Sequence, residues 1–219
     1  IAGNGNIWIA GSPSGGGLKF SYNGSNWFDS NVLTSGVQHI MYSNGLWIAS
    51  LVEAVDSLGN KTPGGILYSS DGLNWNDSNI TSGSFGKCEY ANGKYVIVGN
   101  SGVYYSLDGK TWTIALLQSI PFTDTSEFFS YFYGELKYIT PMNKFYLSCD
   151  YGKSYYSNDG INWVYISALR LIDSFTISFN DAYAVIGTWQ GMFYSSDLLD
   201  WTKIGEMETL PPSLNIINP

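Results

Sequence analysis

The 219 residues predict an all-β chain, a five-bladed β-propeller of four-stranded antiparallel blades. Three observations carry that expectation. One is an eight-residue segment, YSSDGLNW at residues 68–75, which returns as YSLDGKTW at 105–112 and YSNDGINW at 156–163, with looser copies FSYNGSNW at 20–27 and YSSDLLDW at 194–201. Another is a turn pair leading an apolar, β-rich run upstream of each copy: NGNIWIAG from Asn4, NGLWIAS from Asn44, NGKYVIVG from Asn92, NKFYLSC from Asn143 and NDAYAVIG from Asn180. The third is their spacing. From that asparagine to the final tryptophan the distances are 23, 31, 20, 20 and 21 residues, and from each tryptophan to the next asparagine 17, 17, 31 and 17. The base repeat is therefore 37 residues, with 11 extra inside the second unit and 14 extra after Trp112. Four-stranded units at a period near 40 residues are the mark of a propeller.

Each element follows from its residue types. Runs such as VQHIMYS and FGKCEYA supply a first strand, A. Asn-Gly tolerates positive φ and turns the chain back into strand B. A glycine-containing connection leads to strand C, which ends in Tyr-Ser. The Asp-Gly turn then returns the chain as strand D. Blades are expected near residues 1–30, 37–78, 85–114, 134–166 and 174–204. The tail, 205–219, ends in SLNIINP and is expected to form a strand that completes blade one beside residues 1–3. That closes the ring and removes its exposed edges. The competing reading is a piece of a larger propeller.

The repeated residues have structural work to do. Asp71, Asp108, Asp159 and Asp197, and Asn23 in blade one, can accept backbone N–H groups within their own turns. Glycine takes the positive-φ position, and serine caps the same loop. Trp27, Trp75, Trp112, Trp163 and Trp201 are expected to pack against the turn and the neighbouring blade. The turns are read as fold hardware, not as five ligand sites.

At these residues the chain resembles the Asp-box, or BNR-like, repeats of sialidase-type propellers, on Ser-x-Asp-Gly-x-x-Trp at Ser69–Trp75, Ser106–Trp112 and Ser157–Trp163. The resemblance covers nearly the full chain. The usual Asp-box has one more residue between Asp and Trp; Asn23 replaces Asp in blade one, and Leu198 replaces Gly in blade five. The longer pattern looks like tandem repeats of phage-tail, large-virus and bacterial surface proteins. The resemblance implies a fold shared by hydrolases, lectins and scaffolds. Sialidases of this kind hold the substrate carboxylate with three arginines; Arg170 is the one arginine here, which excludes that mechanism for this chain by itself.

Composition narrows the partners. The chain is 44% hydrophobic and 16% aromatic, enough for a sizeable core in one domain. A net charge of −8 with only 10 basic residues argues against nucleic acid and anionic membranes as partners. No apolar run reaches the length of a membrane span. Ile1 is not a start methionine and no signal-like segment opens the chain, so it is read as a mature or excised piece of a longer protein. Charged residues are only 13% while Asn, Ser, Gly and Tyr abound, a composition associated with extracellular and virion surfaces.

Catalytic chemistry finds no foothold. Cys88 and Cys149 lack metal-ligand spacing and are expected as buried thiols in strands, although one disulfide stays open. His39 lacks a partnering Ser or Cys nucleophile pattern and is expected as a channel or core histidine. Glu135 and Lys137, two residues apart, are expected to form a channel-lining pair or a solvated stripe. A glycosidase needs two carboxylates facing each other, and the 18 acids are scattered. GSPSGGG at residues 11–17 precedes no helix and is a flexible loop. The sequons at Asn23, Asn60, Asn76 and Asn79 carry little in an Asn- and Ser-rich chain. No metal or cofactor is expected.

Strand alternation puts A–B and C–D turns on one face and B–C loops and D–A connections on the other. Both long insertions, residues 51–65 and 114–133, fall in the second class. Function is therefore expected on that loop face. The candidate contacts are Glu53, Asp56 and Lys61 in the first insertion, Phe122, Asp124, Glu127, Phe128, Phe129 and Tyr131 in the second, and Tyr151 and Trp189 in B–C regions. The expected activity is non-enzymatic recognition of a glycan or a protein. The alternative is an architectural module packed among other subunits of an assembly. A glycoside hydrolase is the third.

Overall fold

The computed structural model describes residues 1–32, 36–55, 59, 61–118, 135–149, 153–169 and 174–205. They form five separate sheets in chain order. Sheet one holds β1 (Ala2–Gly3), β2 (Trp8–Gly11), β3 (Leu18–Ser21) and β4 (Phe28–Asp29). Sheet two holds β5 (Gly36–Ser43), β6 (Leu46–Val52), β9 (Gly65–Ser69) and β10 (Asn76–Asp77), and its insertion carries a two-stranded ribbon of β7 (Ala54–Val55) and β8 (Lys61–Thr62). Sheet three holds β11 (Phe85–Ala91), β12 (Lys94–Gly99), β13 (Gly102–Ser106) and β14 (Thr113–Ile114). Sheet four holds β16 (Leu136–Ile139), β17 (Lys144–Cys149), β18 (Lys153–Ser157) and β19 (Asn162–Tyr165). Sheet five holds β20 (Ser174–Phe179), β21 (Ala184–Thr188), β22 (Gly191–Ser195) and β23 (Thr202–Lys203).

One expectation needs correction. Sheet four has a fifth strand: β15 (Leu116–Leu117) pairs in parallel with β19, Leu116 opposite Asn162 and Leu117 opposite Trp163. The first residues of the second insertion are thus an outer edge strand, not a loop. Strand D of sheet three ends at Ile114, and two residues later its continuation meets the neighbouring sheet's free N–H and C=O row, which a parallel strand satisfies.

Four of the five A–B turns take one of two forms, and that of sheet four is a 3₁₀ turn, Thr140–Met142, ended by Asn143 at φ 52°. Asn44-Gly45 and Asn92-Gly93 have positive φ at both residues (50°, 76° and 52°, 73°), the geometry that suits the right-handed twist of a hairpin. Asn4 and Asn180 instead use the side-chain oxygen to accept two amides each, Asn6 and Ile7 at 3.0 Å, and Ala182 and Tyr183 at 2.9 and 2.8 Å.

The core lies between sheets. One buried cluster joins Ile9 and Leu18 of sheet one to Trp47 and Trp75 of sheet two. Another joins Ile48 and Ile66 to Tyr95 and Trp112, a third Val96 and Val103 to Phe145 and Trp163, and a fourth Ile139 and Tyr146 to Ile177 and Leu198. Strands buried on both faces read as continuous apolar runs, as KYVIVG does. Of the tail expected to close the ring, 205–219, residues 206–219 lie outside the described residues. Cys88 and Cys149 are buried free thiols, and burial pushes the Cys88 thiol well above its ordinary value.

Candidate functional site

The five C–D turns share one bonding pattern. In sheet two the Asp71 carboxylate accepts N–H groups from Leu73 and Asn74 at 2.8 Å and the Ser69 hydroxyl at 2.9 Å, while Ser69 Oγ accepts Gly72 N–H at 2.8 Å. Asp108, Asp159 and Asp197 repeat it. Asn23 does the same with its amide oxygen, taking Ser25 and Asn26 N–H at 2.9 Å. Partial burial pushes the Asp71 and Asp159 carboxyls up, but the donated bonds outweigh it and hold both at about 2. Asp108 and Asp197 use Oδ1, whereas Asp71 and Asp159 use both carboxylate oxygens within the turn, Oδ2 accepting the side-chain amides of Asn74 and Asn162 at 2.8 and 2.7 Å. Trp27, Trp75, Trp163 and Trp201 close it from the other side, each indole donating to the carbonyl of the residue after Asp or Asn at 3.0–3.2 Å. Trp112 is the exception: its buried indole N–H has no partner.

The opposite ends of the strands bring the B–C loops against the D–A connections. Glu53, on the first insertion, accepts Gly83 N–H at 2.8 Å, and its own N–H donates to Ser84 Oγ at 3.0 Å. Val37 N–H donates to Ser12 O at 2.9 Å in the preceding loop. Gly64 fits because it has no side chain: a Cβ there would lie 2.0 Å from Gly83 O. The Glu53 carboxylate thus ties two loops together. Lys61 sits in β8 of the ribbon. Trp189, in the B–C loop of sheet five, is 82% exposed. It borders an open cleft of about 370 Å³ with Thr176, Gly187 and Thr188. Thr188 holds that loop, donating to Gly191 O at 2.7 Å and accepting Gln190 N–H at 3.0 Å. Asp56, Phe122, Asp124, Glu127, Phe128, Phe129, Tyr131 and Tyr151 lie outside the described residues, as does Arg170.

A second polar group stands on the first strands of sheets two to four, which lie side by side. Glu135 and Lys137 do not pair with each other. Glu135 pairs with Lys87 of sheet three, and Lys137 stands 3.8 Å from Glu89. Glu89 also accepts Tyr138 N–H at 3.2 Å. Burial raises the Glu89 carboxyl, against the Tyr138 bond and Lys137 that lower it. His39 Nδ1 accepts Cys88 N–H at 3.3 Å, which requires an imidazole unprotonated at that nitrogen. Burial, with Lys87 and the chain's amino terminus adding to it, lowers His39 to about 4. These bonds cross from sheet to sheet and engage both glutamates with lysines, so the group staples sheets. Lys87 and Glu89 were not singled out in the sequence; their alternation along one strand face was the available signal. Among the described residues no cluster of His, Cys, Asp and Glu could hold a metal.

No family model matches the sequence, and no curated protein sequence does. Solved structures do. An ancestral GH74 enzyme superposes with a TM-score of 0.67 at 13% identity, over 93% of this chain and 30% of that one. YCF48 bound to D1 peptide gives 0.51 at 18%, over 89% and 62%. The WD40 β-propeller domain of Doa1 gives 0.53 at 10%, over 92% and 67%. The likeness is one of fold. The chain is a β-propeller array. It spans between under a third and two thirds of the length of these propellers.

Proposed function

We propose that the chain is a non-enzymatic recognition module: an Asp-box-type propeller of five blades, closed by its tail, that contacts a glycan or protein through the loop face. One observation carries it. The long departures from the 37-residue repeat belong to B–C loops and D–A connections, and Glu53 bonded to Gly83 and Ser84 ties those two classes together on one side. Trp189, with its large exposed ring beside a cleft, supports the same face, since aromatic rings serve both sugar stacking and protein contact. The setting that fits is an extracellular or virion surface. The bound peptide of YCF48 and the WD40 likeness are consistent with a propeller used for binding.

The test is binding of the chain to a glycan array and to intact cells, compared with Trp189→Ser and with a deletion of residues 53–61. Loss in either variant with the fold intact supports the loop face. Binding unchanged in both refutes it. The architectural reading is favoured by Trp8, Tyr22 and Phe28, exposed together on sheet one. It predicts no ligand in solution, and a loop face covered in an assembly.

A further inference from the structure

Sheets two and three are joined at opposite edges by bonds of different chemistry. Where the chain leaves sheet two, Asn79 clamps the turn of sheet three. Its N–H donates to Lys110 O at 3.2 Å, its Oδ1 accepts Trp112 N–H at 2.7 Å, and its Nδ2 donates to Trp112 O at 3.0 Å. Asn31 makes the same bonds from sheet one to sheet two, on Leu73 O at 3.4 Å, Trp75 N–H at 2.8 Å and Trp75 O at 3.4 Å. Both asparagines stand four residues after a repeat tryptophan. Side-chain amides and main-chain groups take up no proton between pH 4 and pH 7, so these clamps are indifferent to acid.

The other edge, on the first strands β5 and β11, is held by His39 Nδ1 accepting Cys88 N–H at 3.3 Å. Each strand breaks register just before these residues, between Val37 and His39 and between Phe85 and Cys88. Such irregularities bend a strand and re-aim the groups beside them. The bond needs a bare Nδ1. An imidazolium carries hydrogen on both nitrogens, so protonation sets N–H against N–H. The new charge also meets Lys87, next to Cys88 on β11, which opposes it, as does the chain's amino terminus. Ser50 on β6 brings no charge; its hydroxyl donates to His39 O at 3.5 Å. The nearby acids are engaged with other partners, Glu89 with Lys137 and Tyr138 N–H, and Glu135 with Lys87. Among the described residues no carboxylate pairs with His39.

We propose that His39 is an acid-released latch between sheets two and three, which lets their first strands part while the Asn79 clamp and the junction of sheets three and four hold. The sign follows from the two environments of the ring. Burial first, then Lys87 and the amino terminus, lower the latched imidazole to about 4, whereas a free one titrates near about 6.5. The open form therefore takes the proton first, and its population rises as pH falls from about 6.5 to about 4. The gain between pH 7 and pH 4 is roughly 100-fold. The junction of sheets three and four responds in the opposite sense. Burial raises the Glu89 carboxyl, so acid removes a charge that the fold holds at a cost. One junction loosens and its neighbour does not.

The test is amide hydrogen exchange of the full chain labelled with ¹⁵N-cysteine and ¹⁵N-tryptophan, each rate divided by the intrinsic rate at the same pH. Three amides are compared: Cys88 at the latch, Trp112 at the clamp, and Cys149 in the core between sheets three and four. Cys88 and Cys149 are both buried, so the comparison is between junctions and not between exposures. Cys88 protection is expected to fall roughly 100-fold from pH 7 to pH 4 while Cys149 and Trp112 hold. His39→Gln offers Cys88 N–H an amide oxygen that does not titrate, and its Cys88 protection should stay level over that range. Lys87→Gln removes the neighbouring cation, so the midpoint of the fall should move to higher pH. A Cys88 amide that is unprotected at pH 7, or whose protection ignores pH, overturns the proposal. So does a fall shared by Cys149 or Trp112, since the fold or the whole junction is then lost, and so does a fall that persists in His39→Gln. Should His39→Gln leave all three amides unprotected at pH 7 it has not folded, and Lys87→Gln decides: an unmoved midpoint rejects the latch.

Discussion

Gly93 and Gly109 lie in the same sheet at nearly the same backbone angle, φ 73° and 71°. Alanine at either position meets the steric cost of a left-handed conformation, about 1–2 kcal/mol. Their surroundings differ. A Cβ at residue 93 has nothing within 4 Å, whereas one at residue 109 would lie 2.5 Å from Leu46 Cδ2 and 3.1 Å from Ile48 Cδ1 of the preceding sheet. Ile48 is fully buried and has little room to move. Overpacking of this kind adds about 1–3 kcal/mol. Gly93→Ala is therefore expected to cost roughly 1–2 kcal/mol and Gly109→Ala roughly 2–5 kcal/mol. For a chain of this length the difference amounts to a melting-temperature gap of about 2–12 °C. Urea unfolding followed by circular dichroism, with equal m-values, measures it. Equal losses in the two variants would refute the claim that the turn is clamped by the preceding sheet.

Other outcomes follow from the same contacts. Leu198 occupies the turn position that glycine holds elsewhere, buried and at φ 69°; Leu198→Gly relieves about 1–2 kcal/mol of strain but opens a cavity costing about 2–5 kcal/mol, so thermal unfolding should show net destabilisation. Asp71→Asn should unfold close to the parent at neutral pH, because Asn23 already does this task in sheet one, while Asp71→Ala should lose about 1 kcal/mol in chemical denaturation. The Asp71 and Asp159 carboxyls are lowered in the fold to about 2, so their contribution is complete above the ordinary carboxylate value and fades as pH falls toward 2; acid unfolding of Asp71→Asn should begin with a shallower slope. His39 is also lowered, to about 4, so the unfolded chain binds its proton first and stability should fall as pH drops from about 6.5 to 4; NMR titration of its imidazole at an ordinary value would reject its burial as neutral.

The turn hardware was legible in the sequence because it is local. Asp71 bonds residues two and three positions away, and Asn-Gly sets its own dihedrals, so residue identity and short spacing are sufficient. Asn31 and Asn79 were within reach of the same reading, as two asparagines four residues after a repeat tryptophan, but Asn79 looked only like a sequon. Their partners stand 44 and 33 residues away, and nothing in a local window names them. The staple shows the limit most clearly. Glu135 and Lys137 stand two residues apart and look like partners, yet the offset between sheets hands Glu135 to Lys87 and Lys137 to Glu89. The sequence by itself determined strands, turns and period, which depend on backbone preference over a few residues. Only the tertiary structure decided which sheets bond where, because that rests on the register between surfaces brought together from 30 to 50 residues apart.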